Sequence, residues 1–181
     1  MRVISGSCRG RKLKSPDGTD TRPTSEKVKE AMFSIIQFEL EGRRVLDLFA
    51  GSGQLGIEAL SRGAAEAVFI ENNRSNAEVV RKNLETCHLD DSARIVMSDS
   101  LSYLKRDEGE FDIIIIDPPY AENNLEKVLN LIVEFDRLSL NGIIIIESDL
   151  EARLDEVDGL IKGKEYFYGK TKLSLYRKTQ P

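Results

Sequence analysis

Apolar residues recur along this chain in two alternating rhythms. Short unbroken runs rich in β-branched side chains read as strands buried on both faces of a parallel sheet, and stripes at three- and four-residue spacing read as amphipathic helices. The first run, residues 44–49 (RVLDLF), passes through Ala50, Gly51, Ser52 and Gly53 into a helix that reaches about Ser61 and closes at Arg62-Gly63. Residues 67–71 (AVFIE) form a second strand, and Ala77, Val80 and Leu84 stripe a helix over residues 74–87. Residues 93–97 (ARIVM) give a third strand, followed by Ser98, Asp99 and Ser100 and a short helix. The fourth run, FDIIII over residues 111–116, is the most apolar. It must stop at Asp117, because Pro118 and Pro119 have no N–H for a ladder and fix φ. Leu125, Val128, Leu129 and Ile132 mark another helix. Asn141-Gly142 turns into a fifth strand over 143–147, and residues 164–168 and 172–177 form an antiparallel pair around Gly169.

Ahead of this alternation, residues 2–5 and 11–14 predict two short strands of a hairpin around Gly6 and Gly10. After a polar loop, Thr24 is the expected N-cap of a helix with Glu26 in its first turn. Val28, Ala31, Met32, Ile35 and Ile36 make its apolar stripe, and Glu41-Gly42 ends it. Strand and helix in alternation imply a parallel sheet with right-handed crossovers. The terminal pair makes it a mixed, mostly parallel sheet of about seven strands, an α/β Rossmann-like fold. With 181 residues, a single domain 1–181 is expected. Its basic hairpin and helix (1–40) are an appendage to a core spanning 41–181.

Composition narrows the class. Hydrophobic residues at 40% exclude a disordered chain, and no apolar run approaches the roughly 18 residues of a membrane span. The first ten residues lack the apolar segment of a signal peptide. The two cysteines, Cys8 and Cys87, fit a reducing compartment, so the cytoplasm is expected. One histidine and no Cys-x-x-Cys predict no metal site, and His88 beside Cys87 reads as a helix end. The net charge of −5 speaks against a polyanion partner until its distribution is considered. Residues 1–14 hold Arg2, Arg9, Arg11, Lys12 and Lys14 and no acid, a basic arm on an acidic body. The lysines after residue 160 alternate with apolar positions and read as a solvated strand face.

The candidate chemistry lies at the strand ends. Asp47 lies in the first strand, Glu71 ends the second, Asp99 follows the third and Asp117 the fourth. Open α/β sheets bind ligands at that edge. Each acid alone has an ordinary explanation, Asp99 as a helix cap, Glu71 as a solvated strand end, Asp117 as part of a loop breaker. Four at equivalent positions converge on one cleft. Gly51, Gly53 and Gly56 spell G-x-G-x-x-G, and Glu71 lies where a dinucleotide site keeps its ribose acid. Asp47 points away from a dinucleotide, because a carboxylate aimed at this turn repels pyrophosphate and attracts a cation. S-adenosylmethionine has a sulfonium, an ammonium and no phosphate. Glu71 would then take the ribose hydroxyls and Asp99 the adenine amine.

The series Asp47-Leu48-Phe49-Ala50-Gly51-Ser52-Gly53, Glu71, Asp99 and Asp117-Pro118-Pro119-Tyr120 resembles the motifs of class I S-adenosylmethionine-dependent methyltransferases. Its D-P-P-Y element is similar to those of enzymes that methylate exocyclic amines of bases. The resemblance implies cofactor contacts from Asp47, Ala50, Gly51, Gly53, Glu71, Asn72, Asp99 and Ser100. It also implies catalytic roles for Asp117 and the Pro118 carbonyl, as acceptors for the amine, and for Tyr120, stacked on a flipped base. Arg2-Val3-Ile4-Ser5-Gly6, Arg9-Gly10-Arg11-Lys12-Leu13 and Thr21-Arg22-Pro23-Thr24 resemble the RsmD-type 16S rRNA guanine-N2 methyltransferases, as do Tyr168-Gly169-Lys170-Thr171 and Leu175-Tyr176-Arg177. That likeness implies methyl transfer from S-adenosylmethionine, leaving S-adenosylhomocysteine, to a guanine N2 of 16S rRNA in an assembling small subunit, by a monomer. Arg9, Arg11, Lys12 and Lys14 would meet RNA phosphates, and Arg22 and Thr24 would meet RNA or cofactor. Gln54 departs from the small residue expected there. The rivals are a DNA adenine-N6 or cytosine-N4 methyltransferase, for whose target-recognition region the chain has no room, and an NAD-dependent oxidoreductase.

Overall fold

The computed structural model describes residues 1–16, 25–119 and 124–179. Seven strands form one sheet: β1 Arg44–Asp47, β2 Glu66–Glu71, β3 Ala93–Met97, β4 Phe111–Ile116, β5 Leu138–Asp149, β6 Leu160–Tyr168 and β7 Thr171–Lys178. Their order is β3-β2-β1-β4-β5-β7-β6. The first five strands run parallel, and β7 lies antiparallel between β5 and β6. The helices are α1 Glu26–Ile35, α2 Gln54–Ser61, α3 Arg74–Cys87, α4 Ser100–Leu104 and α5 Leu125–Glu134. This is the mixed Rossmann-like sheet that the alternation of strands and helices predicts.

Period-two alternation divides the core. Val45, Ile113, Ile115, Ile143 and Ile145 face one layer, with Met32 and Phe33 of α1, Leu55 and Ile57 of α2, and Val80 and Leu84 of α3. Leu46, Ile114, Ile116, Ile144 and Ile146 face the other, with Tyr103 and Leu104 of α4 and Val128, Leu129 and Ile132 of α5. The unbroken isoleucine runs are therefore buried on both sides. From β1 the chain moves out to β2 and β3 and then returns to β4 on the other flank of β1. A crevice opens at that reversal, over the carboxyl ends of β1 and β4.

Several local expectations shift. The predicted hairpin is a single antiparallel bridge, Arg2 to Lys12. Val3 extends this pairing, donating N–H to Arg11 O and accepting from Gly10 N, both at 2.9 Å, and the chain turns over residues 7–10. Helix α1 starts after Ser25, whose hydroxyl accepts from Val28 N, so Ser25 holds the N-cap position expected of Thr24. That helix stops at Ile35 and a 3₁₀ turn, Gln37–Glu39, carries the chain toward Glu41-Gly42. Asn141-Gly142 lies inside β5 rather than ahead of it, at a bulge where the chain kinks, with Phe111 opposite Leu138 but Ile113 opposite Ile143. A Cβ on Gly142 would come within 2.6 Å of Leu138 Cδ1, which explains a glycine inside a strand. His88 adopts φ 55° as the C-cap of α3, the helix end predicted for it. Among the described residues no helix is long and apolar enough to cross a membrane.

Gly56 shows why this sheet edge tolerates little change. A Cβ there would lie 2.3 Å from Phe69 Cε1, inside the fully buried ring of β2. Gly56→Ala is therefore expected to cost about 1–3 kcal/mol by overpacking, with displacement of α2 from β2. Urea melts with an unchanged m-value and a lower midpoint would show it.

Candidate functional site

The crevice is a cavity of about 480 Å³. One wall is the turn after β1, where Ala50, Gly51 and Ser52 face the cavity. This turn is closed by Gly53 N donating to Ala50 O at 2.6 Å, and Ala50 N reaches Ile70 O on β2 at 2.9 Å. Gly51 and Gly53 adopt φ 55° and 78°, the left-handed region in which glycine carries no Cβ penalty. Gly53 itself lies behind the wall as the residue preceding α2, its α-carbon packed toward Val80.

Glu71 ends β2 with 9% of its surface exposed, and it braces this turn. Its Oε2 accepts from Gly51 N at 2.9 Å and its Oε1 from Asn73 N at 2.8 Å. Each carboxylate oxygen retains a lone pair for a hydroxyl donor. Asn72 lines the cavity beside it, and Asn73 caps α3 by accepting from Ser75 N and Asn76 N. Asp99 and Ser100 line the cavity from the end of β3. Asp99 is also the N-cap of α4, accepting from Ser102 N at 2.9 Å. Hydrogen bonds from Ser102 hold its carboxyl below the usual range. Asp99 thus caps α4 and lines the cavity with the same side chain.

Asp47 does not line the cavity. It lies beneath the turn, 1% exposed, with Oδ2 accepting from Gly56 N at 2.9 Å and Oδ1 buried without a hydrogen-bond partner among the described residues. Burial pushes its carboxyl up to about 7, the Gly56 N–H opposes this, and the nearby charges of Asp117 and Glu71 add to it. A buried acid with an unspent acceptor suits a cationic group and is a poor neighbour for pyrophosphate.

The opposite wall comes from the end of β4. Asp117 and Pro118 are half-buried and Pro119 exposed, and all three face the cavity. Tyr120, Arg22 and Thr24 lie outside the described residues. The arm's Arg9, Arg11, Lys12 and Lys14 are exposed, while Val3, Cys8 and Leu13 between them are buried in the core. Those four cations do not line the cavity. The ends of the arm do, through Met1, Ser15 and Pro16, none of which the sequence singles out. Glu147 is a further residue missed. It is 5% exposed at the end of β5, one strand over from Asp117, and lines the same cavity. A fifth strand-end carboxylate, after Asp47, Glu71, Asp99 and Asp117, was the available signal. Gln54, the departure from the expected small residue, is buried and forms part of the wall beside Ser52.

Residues 1–177 match the family model described as "Conserved hypothetical protein 95". The chain belongs to this family. Within it lie the relatives the D-P-P-Y and basic-arm motifs resemble. The chain is 44% identical to Bacillus subtilis YlbH, provisionally named an rRNA methyltransferase, over 98% of this chain and 99% of that protein. It is 39% identical to the ribosomal RNA small subunit methyltransferase D of Escherichia coli K12, over 87% of this chain and 79% of that one. Its structure superposes on that of E. coli yhhF, provisionally named a methyltransferase, with a TM-score of 0.88 and 37% identity, covering 98% and 97% of the two chains. A Salinibacter ruber RNA methyltransferase solved with S-adenosyl-L-homocysteine shares the fold at a TM-score of 0.68 and 17% identity, covering 88% and 97%. The fold is therefore shared with these methyltransferases.

Proposed function

We propose that this family member transfers a methyl group from S-adenosylmethionine to the N2 amine of a guanine in small-subunit ribosomal RNA. The observation that carries the reading is the shared cavity. Asp117 and Pro118 form one wall, and Ala50, Gly51, Glu71, Asp99 and Ser100 form the other. The small-subunit rRNA target is supported by the names of the relatives, and guanine N2 by the motif resemblance.

S-adenosylmethionine, when bound, supplies an electrophilic methyl carbon and a thioether leaving group. The chain's own residues do the rest. Glu71 would hold the ribose hydroxyls while bracing the turn, Asp99 would accept from the adenine amine, and Asp47, buried beneath the turn, would supply a negative charge once the cofactor's ammonium favours its ionised form. Asp117 and the Pro118 carbonyl accept the two N–H bonds of the flipped guanine amine. That amine is a poor nucleophile because its lone pair is delocalised into the ring. Two fixed acceptors favour a pyramidal nitrogen and aim its lone pair, so orientation supplies most of the rate. The proton leaves after methyl transfer, so Asp117 need not be a strong base. The base enters by flipping, and the exposed arm cations neutralise phosphates.

The direct test is transfer of labelled methyl from S-adenosylmethionine to small subunits purified from cells lacking the protein, with the product mapped by mass. One new N2-methylguanine is expected. Methylated DNA adenine with rRNA untouched would move the assignment to a DNA enzyme, and tight binding of NADH with none of S-adenosylmethionine would move it to an oxidoreductase.

Asp47 gives the cofactor site a pH dependence. Its carboxyl ionises near 7 in the folded chain and near 3.8 unfolded. The empty protein therefore binds the extra proton between these values, and stability falls as pH rises through that window. The cofactor's ammonium prefers the ionised form, so binding below pH 7 releases a proton. Affinity is expected to weaken by about tenfold per unit below 7. Calorimetry in buffers of different ionisation enthalpy measures that proton. Asp47→Asn is expected to flatten the profile, weaken binding and raise the melting temperature of the empty protein more at pH 8 than at pH 5. A wild-type affinity constant from pH 5.5 to 7.5 contradicts the role.

A further inference from the structure

Asn83, on the inner face of α3, is 1% exposed and has no part in the site described above. Its Nδ2 donates to Lys14 O at 3.0 Å and to Ser52 O at 2.9 Å, and its Oδ1 accepts from Lys14 N at 2.8 Å. A carboxamide has two N–H donors. Here one is spent on the basic arm and the other on the glycine turn. Toward the arm, the amide pairs with the Lys14 backbone as a neighbouring strand would, through one N–H and one C=O. The two residues after Lys14, Ser15 and Pro16, form part of the cavity wall. Toward the turn, Ser52 lies between Gly51 and Gly53, whose left-handed backbone sets the shape of the cofactor wall. The start of the arm reaches the same residue, with the Ser52 hydroxyl 3.4 Å from Met1 Sδ.

We propose that Asn83 is a positioning residue that links RNA on the arm to S-adenosylmethionine at the glycine turn, so that each ligand tightens the other. This rests on the reading above, in which the arm meets RNA and the cavity takes the cofactor. Phosphates held by Arg9, Arg11, Lys12 and Lys14 fix the arm's backbone. A fixed Lys14 holds both polar atoms of the Asn83 amide, and the amide's second N–H then fixes the Ser52 carbonyl. The turn is ordered before the cofactor arrives, so the cofactor meets less of the ordering cost. In the other direction, a cofactor seated against Ala50 and Gly51 holds Ser52, Asn83 and thus Lys14 in the conformation that presents the arm. The buried amide cannot turn to satisfy one segment without leaving a polar group of the other unpaired. Linkage makes the two effects equal in size.

The test is equilibrium dialysis of labelled S-adenosylhomocysteine against the full chain, alone and with saturating small ribosomal subunits. Wild type is expected to bind at least about fivefold tighter in the presence of subunits, and subunits to bind tighter by the same factor when S-adenosylhomocysteine is saturating. Asn83→Ala is expected to bring both ratios near one. Ser61→Ala is the control. It removes two different arm contacts, Ser61 Oγ donating to Ser5 O at 2.6 Å and accepting from Cys8 N at 2.9 Å, and the ratios should persist. A structural role for Asn83 alone would lower the melting temperature and leave the ratios of the folded fraction intact. If Asn83→Ala fails to fold, Asn83→Asp keeps the acceptor for Lys14 and loses both donors. Both ligands bound by wild type with a ratio of one, or a full ratio kept by an Asn83 variant, overturns the inference while the proposed activity stands. No binding of either ligand instead overturns the activity and the inference together.

Discussion

Asp117→Ala is expected to lower kcat for methyl transfer by about 10²–10³-fold, the loss seen when one preorganised polar group at a reacting centre is removed. The cofactor's dissociation constant should change by less than about threefold, because Asp117 stands on the wall opposite Glu71 and Asp99. The separation follows from topology. Asp117 leaves β4 at its carboxyl end, and the opposite wall of the cavity is built from the ends of β1, β2 and β3. Pro118 and Pro119 keep the chain from continuing into the sheet, and both line the cavity. With alanine, the amine retains one acceptor, and its lone pair is no longer aimed. Asp117→Asn should fall between the two, since its amide oxygen accepts one N–H while its charge is lost. A second signature is independent of turnover. The charge of Asp117 helps hold the Asp47 carboxyl high, so in Asp117→Ala the pH at which cofactor binding weakens should move down. A kcat within tenfold of wild type would remove Asp117 from the transfer step, and an unmoved pH profile would remove its contact with Asp47.

Much of this arrangement was legible before the fold, for physical reasons that differ by region. The isoleucine runs of β4 and β5 can only be strands buried on both faces, and the strand-end acids follow from their positions. Asp47, Glu71, Asp99 and Asp117 carry a signal because each sits late in, at or just past the end of an apolar run. Glu147 ends such a run as well, and its place beside Asp117 depends on the β4–β5 register, which a three-residue bulge resets. The arm was legible in its charge and in the antiparallel pairing of its two ends, not in how it is anchored. Its cations alternate with Val3, Cys8 and Leu13, too few apolar positions to show that they enter the core. The contacts that fix it, from Glu58, Ser61 and Asn83, lie 53 to 69 residues away along the chain. No local pattern encodes them. Lys29 shows the same limit. A lysine beside the apolar stripe of α1 reads as solvated, and it is fully buried because its partner arrives from α2.

Glu58→Ala is expected to destabilise the protein by about 3–5 kcal/mol, the cost of leaving a buried charge without its partner. Glu58 is fully buried on α2, outside the cavity lining, and accepts three hydrogen bonds beside an ion pair with Lys29. Its Oε2 takes Ile4 N at 2.8 Å and its Oε1 takes Ser5 N at 3.0 Å and Arg62 Nε at 2.8 Å. Lys29 Nζ lies 3.5 Å from Oε2 and donates to Arg2 O at 2.6 Å. Three segments, α1, α2 and the arm, therefore meet at one carboxylate. Burial already lowers the Lys29 ammonium from its usual value, and the Glu58 charge opposes that shift. Without Glu58 the ammonium drops further. The unfolded chain then binds more protons than the folded one over a wider range below 10.5, so the variant's stability should rise with pH toward that value. The double variant Glu58→Ala/Lys29→Met removes the stranded charge and should recover part of the loss, a non-additivity that a double-mutant cycle measures. It cannot restore Ile4 N and Ser5 N, so the arm stays loosened. RNA affinity should therefore remain weak in the double variant with a shallower salt slope, while S-adenosylmethionine still binds through Glu71 and Asp99. Equal recovery of stability and RNA binding would show that the arm is held by the apolar contacts of Val3, Cys8 and Leu13 alone.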